Sequence, residues 1–312
     1  MNAPRCSDDE FMQSFVSIGP EATAAKYKVT VRNVYARRRI LEAKYSAPLV
    51  VPSKSELEAK HPHRLQNDLK NGVVLIGSDF HIWPGQESLA LKAFKRFADD
   101  LKPDIVILNG DVLDFPQISK HQPIGWEAAP NPKQEIEAAQ DHLHDISKAS
   151  KRARKLWLLG NHDARFETRL AVVAKEYKGI KGIHLSDHFP LWENGWSSWI
   201  NTDIVVKHRF KGGLHATHNN TLWSGKTLVT GHLHSAKVAP LTDYNGTRWG
   251  VDTGCVAETH YKQFIDYTED NPLNWISAFG VLTIKNGRLL PPELVTKFDD
   301  NHMTWRGTVF KP

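Results

Sequence analysis

The stretch "KLWLLGNHDARFE", Lys155 to Glu167, is an apolar run that stops at Gly160 and delivers Asn161, His162 and Asp163 side by side. A strand that ends in an amide, an imidazole and a carboxylate is informative if other strands end the same way. Two upstream segments do. "GVVLIGSDFH" starts at Gly72 and runs into Asp79 and His81, and "PDIVILNGDVLDF" starts at Pro103 and runs into Gly110-Asp111, with Asp114 three residues on. Both are continuous apolar runs, as expected of strands buried on both faces. Between them, Glu87 to Leu101 carries Leu89, Leu91, Phe94, Phe97 and Ala98 at helical spacing, and a second helix is predicted within Lys133 to Ala153. The order β-α-β-α-β is that of a parallel sheet.

Further on, "DIVVKH" ends at His208 and "TLVTGHLH" ends at His232 and His234. Five strands therefore finish in possible ligands. The carboxyl ends of strands in an open α/β sheet line the ligand crevice. Several carboxylates and imidazoles in one crevice are costly to desolvate unless something offsets their charge. A pair of divalent cations about 3.5–4 Å apart does so, and suits in-line displacement at phosphorus. Nitrogen and oxygen donors without sulfur favour manganese foremost, with iron, zinc or nickel as alternatives.

Asp79-x-His81, Gly110-Asp111-x-x-Asp114, Gly160-Asn161-His162-Asp163, the single His208 and Gly231-His232-x-His234 together resemble the ordered motifs of calcineurin-like metallophosphoesterases. The resemblance covers roughly Val73 to Gly254, and "VDTGC" stands where many members have an Asn-Pro-Gly-Ser-like turn. The overall texture is similar to phage- or prophage-type members. The resemblance implies an α/β two-sheet sandwich flanked by helices, and a phosphoester hydrolase with two divalent metal ions. It implies that Asp79, His81, Asp111 and His234 hold one cation and that Asp111 bridges to a second, completed by Asn161, His208 and His232. It makes a water between the cations the nucleophile and places His162 to stabilise the transition state or protonate the leaving oxygen. Asp163 is expected to orient that imidazole, and Asp114 to sit behind the ligands. His215 and His218 in "GGLHATHNN" compete with His208.

The 312 residues carry a net charge of +5, all of it accounted for by Glu21–Lys44, which has seven basic and two acidic residues. Before that block, Ser7-Asp8-Asp9-Glu10 has the form of a capping box opening a helix with Phe11, Phe15 and Val16, broken at Gly19-Pro20. A short Ala-rich helix, a turn near Lys28-Val29 and a longer helix capped by Thr30 follow. Ala24, Val29, Val34 and Ile40 are predicted to face inward, and Arg32, Asn33, Arg37 and Arg38 to face outward. Residues 1–44 thus resemble an all-α helix-turn-helix-like module that binds DNA, 45–71 read as a linker, and 72–312 form the phosphoesterase domain.

Members of the resembled family cleave many phosphoesters. Phe115-Pro116 after Asp114, and Asp163 rather than Glu after His162, depart from the serine/threonine phosphatase pattern. The basic module favours phosphodiesters in DNA, a nuclease-like activity. Two alternatives stay open: a phosphomonoesterase or small-molecule phosphodiesterase with a non-DNA-binding cap, and a DNA-binding protein with an inactive phosphoesterase domain. Cys6 and Cys255 are too few for a disulfide framework or a thiolate site. With no long apolar run and no secretory pattern in Met1–Glu10, a reduced cytoplasmic protein without membrane contact is expected. His142 and His144 read as surface residues. Trp192, Trp196 and Trp199 read as core packing, with a base-stacking platform as the alternative. The tail after Pro291-Pro292 carries no signal.

Overall fold

The computed structural model describes residues 6–49, 63–121, 129–261, 263, 264, 268, 271 and 273–312. The chain divides into two compact units, Met1–Pro62 and His63–Pro312. No helix among the described residues is long and apolar enough to cross a membrane.

The first unit is helical. The Ser7 hydroxyl accepts from the Glu10 amide and the Glu10 carboxylate accepts from the Ser7 amide, closing the predicted capping box at the start of α1 (Asp8–Tyr27). Gly19, at φ 78°, breaks α1 into two helical pieces where Gly19-Pro20 predicted a stop. Lys28 caps the end in the left-handed conformation and Thr30 caps α2 (Val31–Tyr45). Phe11, Phe15, Ala24, Val34 and Leu41 are buried together, with Val29 packed against them. Ile40 is not among them and is 66% exposed. Seven helical positions return to the same side and six do not, so Leu41 follows Val34 inward.

The same geometry corrects the outward placement of two arginines. Arg37 stacks on Phe11 and donates to the carbonyls of Cys6 and Ser7 and to Asp8, while Arg38 lies over Phe15 and bonds Glu42. Both guanidinium groups lie over rings of the small core. Arg32, Asn33 and Arg39 are exposed.

The second unit is a sandwich of two sheets. One has the strand order β15-β14-β13-β11-β2-β3-β4-β5, with β12 on β11; the other has the order β1-β6-β7-β8-β10-β9. In the first, β2 (Gly72–Gly77), β3 (Ile105–Leu108) and β4 (Arg154–Leu158) are parallel neighbours, joined through α3 (Leu89–Asp100) and α4 (Pro132–Ala149) as predicted. Beyond β4 lie α5 (Arg165–Val173), the one-turn helix α6 (Leu185–His188) and β5 (Glu193–Gly195). The second sheet is built from β1 (Arg64–Asn67), β6 (Ser197–Ile200), β7 (Ile204–Val206), β8 (Thr227–Thr230), β9 (Lys237–Asp243) and β10 (Gly246–Asp252), with α7 (Ala216–Ser224) between β7 and β8.

Alternate residues explain the unbroken apolar runs. Val74, Ile76, Ile107 and Leu158 pack against Val206, Val229 and Val251 of the opposite sheet, whereas Leu75, Val106, Leu108 and Trp157 pack outward on Phe94, Phe97, Leu143 and Ile146 of the helices. Both faces of each central strand are buried. β11 (Ala278–Lys285) and β12 (Arg288–Leu289) flank Asn286-Gly287, both with positive φ, which is the predicted hairpin turn.

One expectation needs correction here, and a segment without sequence signal is structured. β1 falls inside the segment read as a linker and pairs in parallel with β6, so that segment is not a linker throughout. The tail continues the first sheet as β13 (Glu293–Lys297), β14 (Met303–Trp305) and β15 (Thr308–Phe310). Their runs are too short and mixed to carry a period.

Candidate metal centre

The five ligand-bearing tips come from two sheets rather than from neighbours in one. β2, β3 and β4 supply Asp79, Asp111 and Asn161 from the first sheet, and β7 and β8 supply His208, His232 and His234 from the second. The tips are tied across the gap. The Ser78 and Thr253 hydroxyls are 2.7 Å apart, the amides of Val256 and Ala257 donate to the carbonyls of Ser78 and Asp79, and the His232 amide donates to Asp79 Oδ2 at 2.8 Å.

Asp79 is fully buried. Its Oδ1 lies 3.1 Å from His234 Nε2 and 4.0 Å from both His81 Nε2 and His208 Nε2. Asp111 Oδ2 lies 3.1 Å from His208 Nε2 and 3.9 Å from His162 Nε2. Two groupings with metal-ligand spacing result, Asp79/His81/His234 and Asp111/His208/His232. The His208 and His232 rings are 5.2 Å apart. His215 and His218 lie on the exposed surface.

The donor set fits a pair of cations on an observation independent of motif. His81 Nε2, His208 Nε2, His234 Nδ1 and Asn161 Oδ1 are buried atoms without a hydrogen-bond partner. Leaving such atoms unmade costs about 1–3 kcal/mol each, so four in one place mark a site shaped for something else. The backbone carries a matching cost. Asp79, His81, Asp111, His232 and His234 all have positive φ, between 40° and 71°. That conformation costs a non-glycine residue roughly 1–2 kcal/mol, and such clusters occur where geometry serves function. Close approach also dictates glycine at Gly110, at φ 86°, where a Cβ would strike the His208 ring, and at Gly160, where it would strike Asp111.

Electrostatics follow from the crowding. Burial opposes a charge on His81, but Asp114, Asp111 and Asp79 outweigh it and raise its pKa to about 9. Burial likewise opposes a charge on His208, and Asp79 and Asp111 lift it to about 9. Burial pushes Asp111 up, yet His208, His162 and His81 hold its carboxyl well below the usual range. For His232, burial and then the nearby His208 lower the pKa. A divalent ion among such groups becomes the largest local charge and replaces these pairings.

The partners of His162 differ from the expectation. Asp163 does not orient it. Its Oδ1 accepts from the amides of Val112 and Leu113, and its Oδ2 accepts from Trp157 Nε1 and the Gly160 amide. It is a fully occupied latch between the β3 and β4 tips. Burial, then the Asp111 charge, raises its pKa while the Gly160, Trp157 and Leu113 donors lower it. Asp114 sits behind the histidines instead, with Oδ1 2.7 Å from His162 Nδ1 and 3.3 Å from His81 Nδ1. His81, Asp114 and His162 also lie close enough to hold a metal. Because Asp114 meets the Nδ1 of both rings, however, it leaves their Nε2 atoms toward Asp79 and Asp111, as a carboxylate behind metal-bound histidines does.

Three residues without a motif also support the site. Arg165 donates to the Asp114 carbonyl at 2.7 Å and lies 3.3 Å from His162 Nε2. Gln263 donates to the His81 carbonyl. Glu135, buried on α4, accepts from the Asp114 and Phe115 amides, and burial raises its pKa to about 8. Arg165 stands two positions after the Asn-His-Asp motif and was within reach of sequence reasoning; the other two carry no local signal. His142, expected at the surface, is partly buried beside Lys95. Of the tryptophans read as core, Trp192 is buried, Trp199 packs under Arg64, and Trp196 is exposed.

Similar proteins lie in the same direction. The chain is 27% identical over 259 residues to the Gene 54 protein of Mycobacterium phage D29, covering 71% of this chain and 92% of that protein. It is 24% identical over 249 residues to the Gene 54 protein of Mycobacterium phage L5, with the same coverage. Both relatives are phage-encoded, in keeping with the phage-type resemblance. Among solved structures, Chaetomium thermophilum Vps29 aligns with 77% of this chain and 98% of its own, at 9% identity and a TM-score of 0.40. Residues 72–267 match the family model of the calcineurin-like phosphoesterases. That span takes in every strand tip described above, and the chain belongs to that family.

Proposed function

We propose that the chain hydrolyses phosphodiesters in DNA at a two-cation centre, with Asp79, His81, Asp111 and His234 holding one ion, Asn161, His208 and His232 completing the second, and Asp111 shared. The observation that carries this reading is the convergence of unpartnered buried ligand atoms from both sheets around Asp79 and Asp111. Two bound divalent ions, manganese foremost, would supply Lewis acidity toward the phosphoryl oxygens and lower the pKa of the attacking water. His162 stands beside Asp111, its Nδ1 held by Asp114, so Nε2 is placed to serve the leaving oxygen. Arg165, at the same edge, contributes a positive charge where the phosphate must lie. In the first unit Arg32 and Asn33, exposed on the first turn of α2, are the residues placed to meet DNA. The reading places the protein in the cytoplasm, where Cys6 and Cys255 persist as free thiols.

Manganese-dependent cleavage of single- and double-stranded DNA tests the proposal. Turnover of a phosphomonoester without cleavage of either strand form would reject it. His162→Ala should keep its metal and lose about a hundredfold or more in turnover. The inward turn of Arg37 and Arg38 favours a second reading, in which the helical unit only packs and the substrate is a smaller phosphoester. Deleting residues 1–44 separates the two: DNA affinity falls under the first and is unchanged under the second.

A further inference from the structure

Between the ligands His208 and His232 runs "RFKGGLHATHNNTLWSGK", Arg209 to Lys226, which the metal centre does not use. With Lys207, this segment carries four Lys and Arg residues and no Asp or Glu. Trp223 is 68% exposed and Phe210 is 44% exposed, an unusual display of aromatic surface. Each aromatic ring has a cation over it: Lys211 Nζ lies 3.0 Å from the centroid of Trp223, and Lys207 Nζ lies 5.1 Å from that of Phe210.

The segment is built rather than frayed. Asn220, almost fully buried on α7, donates to the Lys211 carbonyl at 2.8 Å and accepts from the Lys211 amide at 3.3 Å, which pins the loop to the helix. α7 in turn lies so close to β10 that a Cβ on Gly250 would strike Thr217 and Thr221. Lys237, three residues beyond His234, reaches back to the Leu214 carbonyl at 3.3 Å. The loop is thus pinned to α7 and, through Gly250 and Lys237, held against β10 and β9, while Arg209 follows His208 directly.

We propose that Arg209, Phe210, Lys211 and Trp223 form a landing surface for a single-stranded polynucleotide, feeding its phosphodiester backbone to the adjacent centre. Fixed cations neutralise phosphates without regard to sequence. An exposed ring offers stacking to any unpaired base, whereas a duplex keeps its base faces inside the helix. Cation and ring on the same spot match the alternation of phosphate and base along one strand. The proposal deepens the phosphodiesterase reading by naming the strand form, and it rests on that reading only for the cleavage that follows binding.

The test uses the full chain without added metal, so that no strand is cut. Binding of a fluorescein-labelled oligothymidylate of about 20 nucleotides, and of a duplex of equal length, is followed by fluorescence anisotropy. Trp223→Ala should weaken oligothymidylate binding about tenfold, the loss of one stacked base, and leave duplex binding within about twofold. Trp223→Phe should restore most of the loss. Lys211→Ala should flatten the logarithmic salt dependence by about 0.7. Oligothymidylate binding that is absent from the unaltered chain, unchanged in Trp223→Ala, or weakened in step with duplex binding overturns the proposal. Turnover of bis(p-nitrophenyl) phosphate with manganese is measured in parallel and should be the same in all these variants. Its absence from the unaltered chain would overturn the metal reading alone, because the binding comparison needs no catalysis.

Discussion

Asp163→Asn separates a latch from a catalytic partner. The carboxylate accepts four N–H donors, two on each oxygen, at 2.9–3.1 Å, and none of them belongs to His162. An amide turns one oxygen into a donor, so two hydrogen bonds are lost and two buried N–H groups face an NH2. At about 1–3 kcal/mol per stranded group the cost is roughly 2–6 kcal/mol, a large share of the 5–15 kcal/mol typical of a folded domain. With a urea slope of about 3 kcal/mol/M, a mid-range loss of 4 kcal/mol lowers the midpoint by somewhat more than 1 M. Urea unfolding followed by tryptophan fluorescence reads this directly. Turnover of bis(p-nitrophenyl) phosphate in the folded range adds the second coordinate, with His162→Ala as the reference for a stable but slow enzyme. An Asp163→Asn variant with an unchanged midpoint and a hundredfold lower turnover would refute the reasoning and return Asp163 to the role of orienting the imidazole.

Asp111→Ala should fold and lose at least one equivalent of bound metal by elemental analysis, because its carboxylate reaches His208 and neighbours His162. Gly160→Ala should lower both metal content and stability, since the new methyl lands on the Asp111 carboxylate and its backbone amide; unchanged metal content would count against the close approach. Arg37→Ala should speed amide exchange across Phe11 and Phe15 by loosening three hydrogen bonds worth together about 1–3 kcal/mol, while Arg32→Ala should leave exchange unchanged and weaken duplex binding. Hydrogen bonds from Lys44 and then Arg37 lower the Asp8 pKa from its ordinary 3.8. A lowered carboxylate pKa gives stability that is present above the ordinary value and lost as pH falls through the folded one. Amide protection in α1 should therefore decline below about pH 4, and Asp8→Asn should reduce that decline, leaving the part due to the Glu10 carboxylate of the capping box.

What the sequence disclosed follows from how each signal is encoded. The runs Val73–Gly77, Ile105–Leu108 and Leu156–Leu158 are legible because both faces of those strands are buried, so apolar residues are contiguous. The candidate ligands are legible because each stands at a strand tip, immediately after its run. Capping at Ser7 and Thr30 is local chemistry and reads directly. The errors lie where a contact is distant. Nothing within "NHD" says that Asp163 turns back toward Val112 and Leu113 while Asp114, 48 positions upstream of His162, takes the imidazole. Arg37 looked free because charge suggests solvent, yet its guanidinium lies over Phe11 and donates to carbonyls some 30 residues earlier. β1 and the strands after Pro291 are too short for periodicity and exist through their partners.

The contact between Asp79 and His234 spans 155 positions. At roughly 5–20 residues per second of synthesis, about 8–30 s separate the appearance of these two groups at the ribosome. During that interval the tips appear one after another, with His232 and His234 last, and a nascent chain lacks the full donor set proposed for the cation pair. A product truncated between Asp163 and His232 carries the early motifs without the last two histidines, and on the two-cation reading should show no turnover. On the two-cation reading, placing the final donors late in translation keeps unfinished copies from acting on phosphoesters.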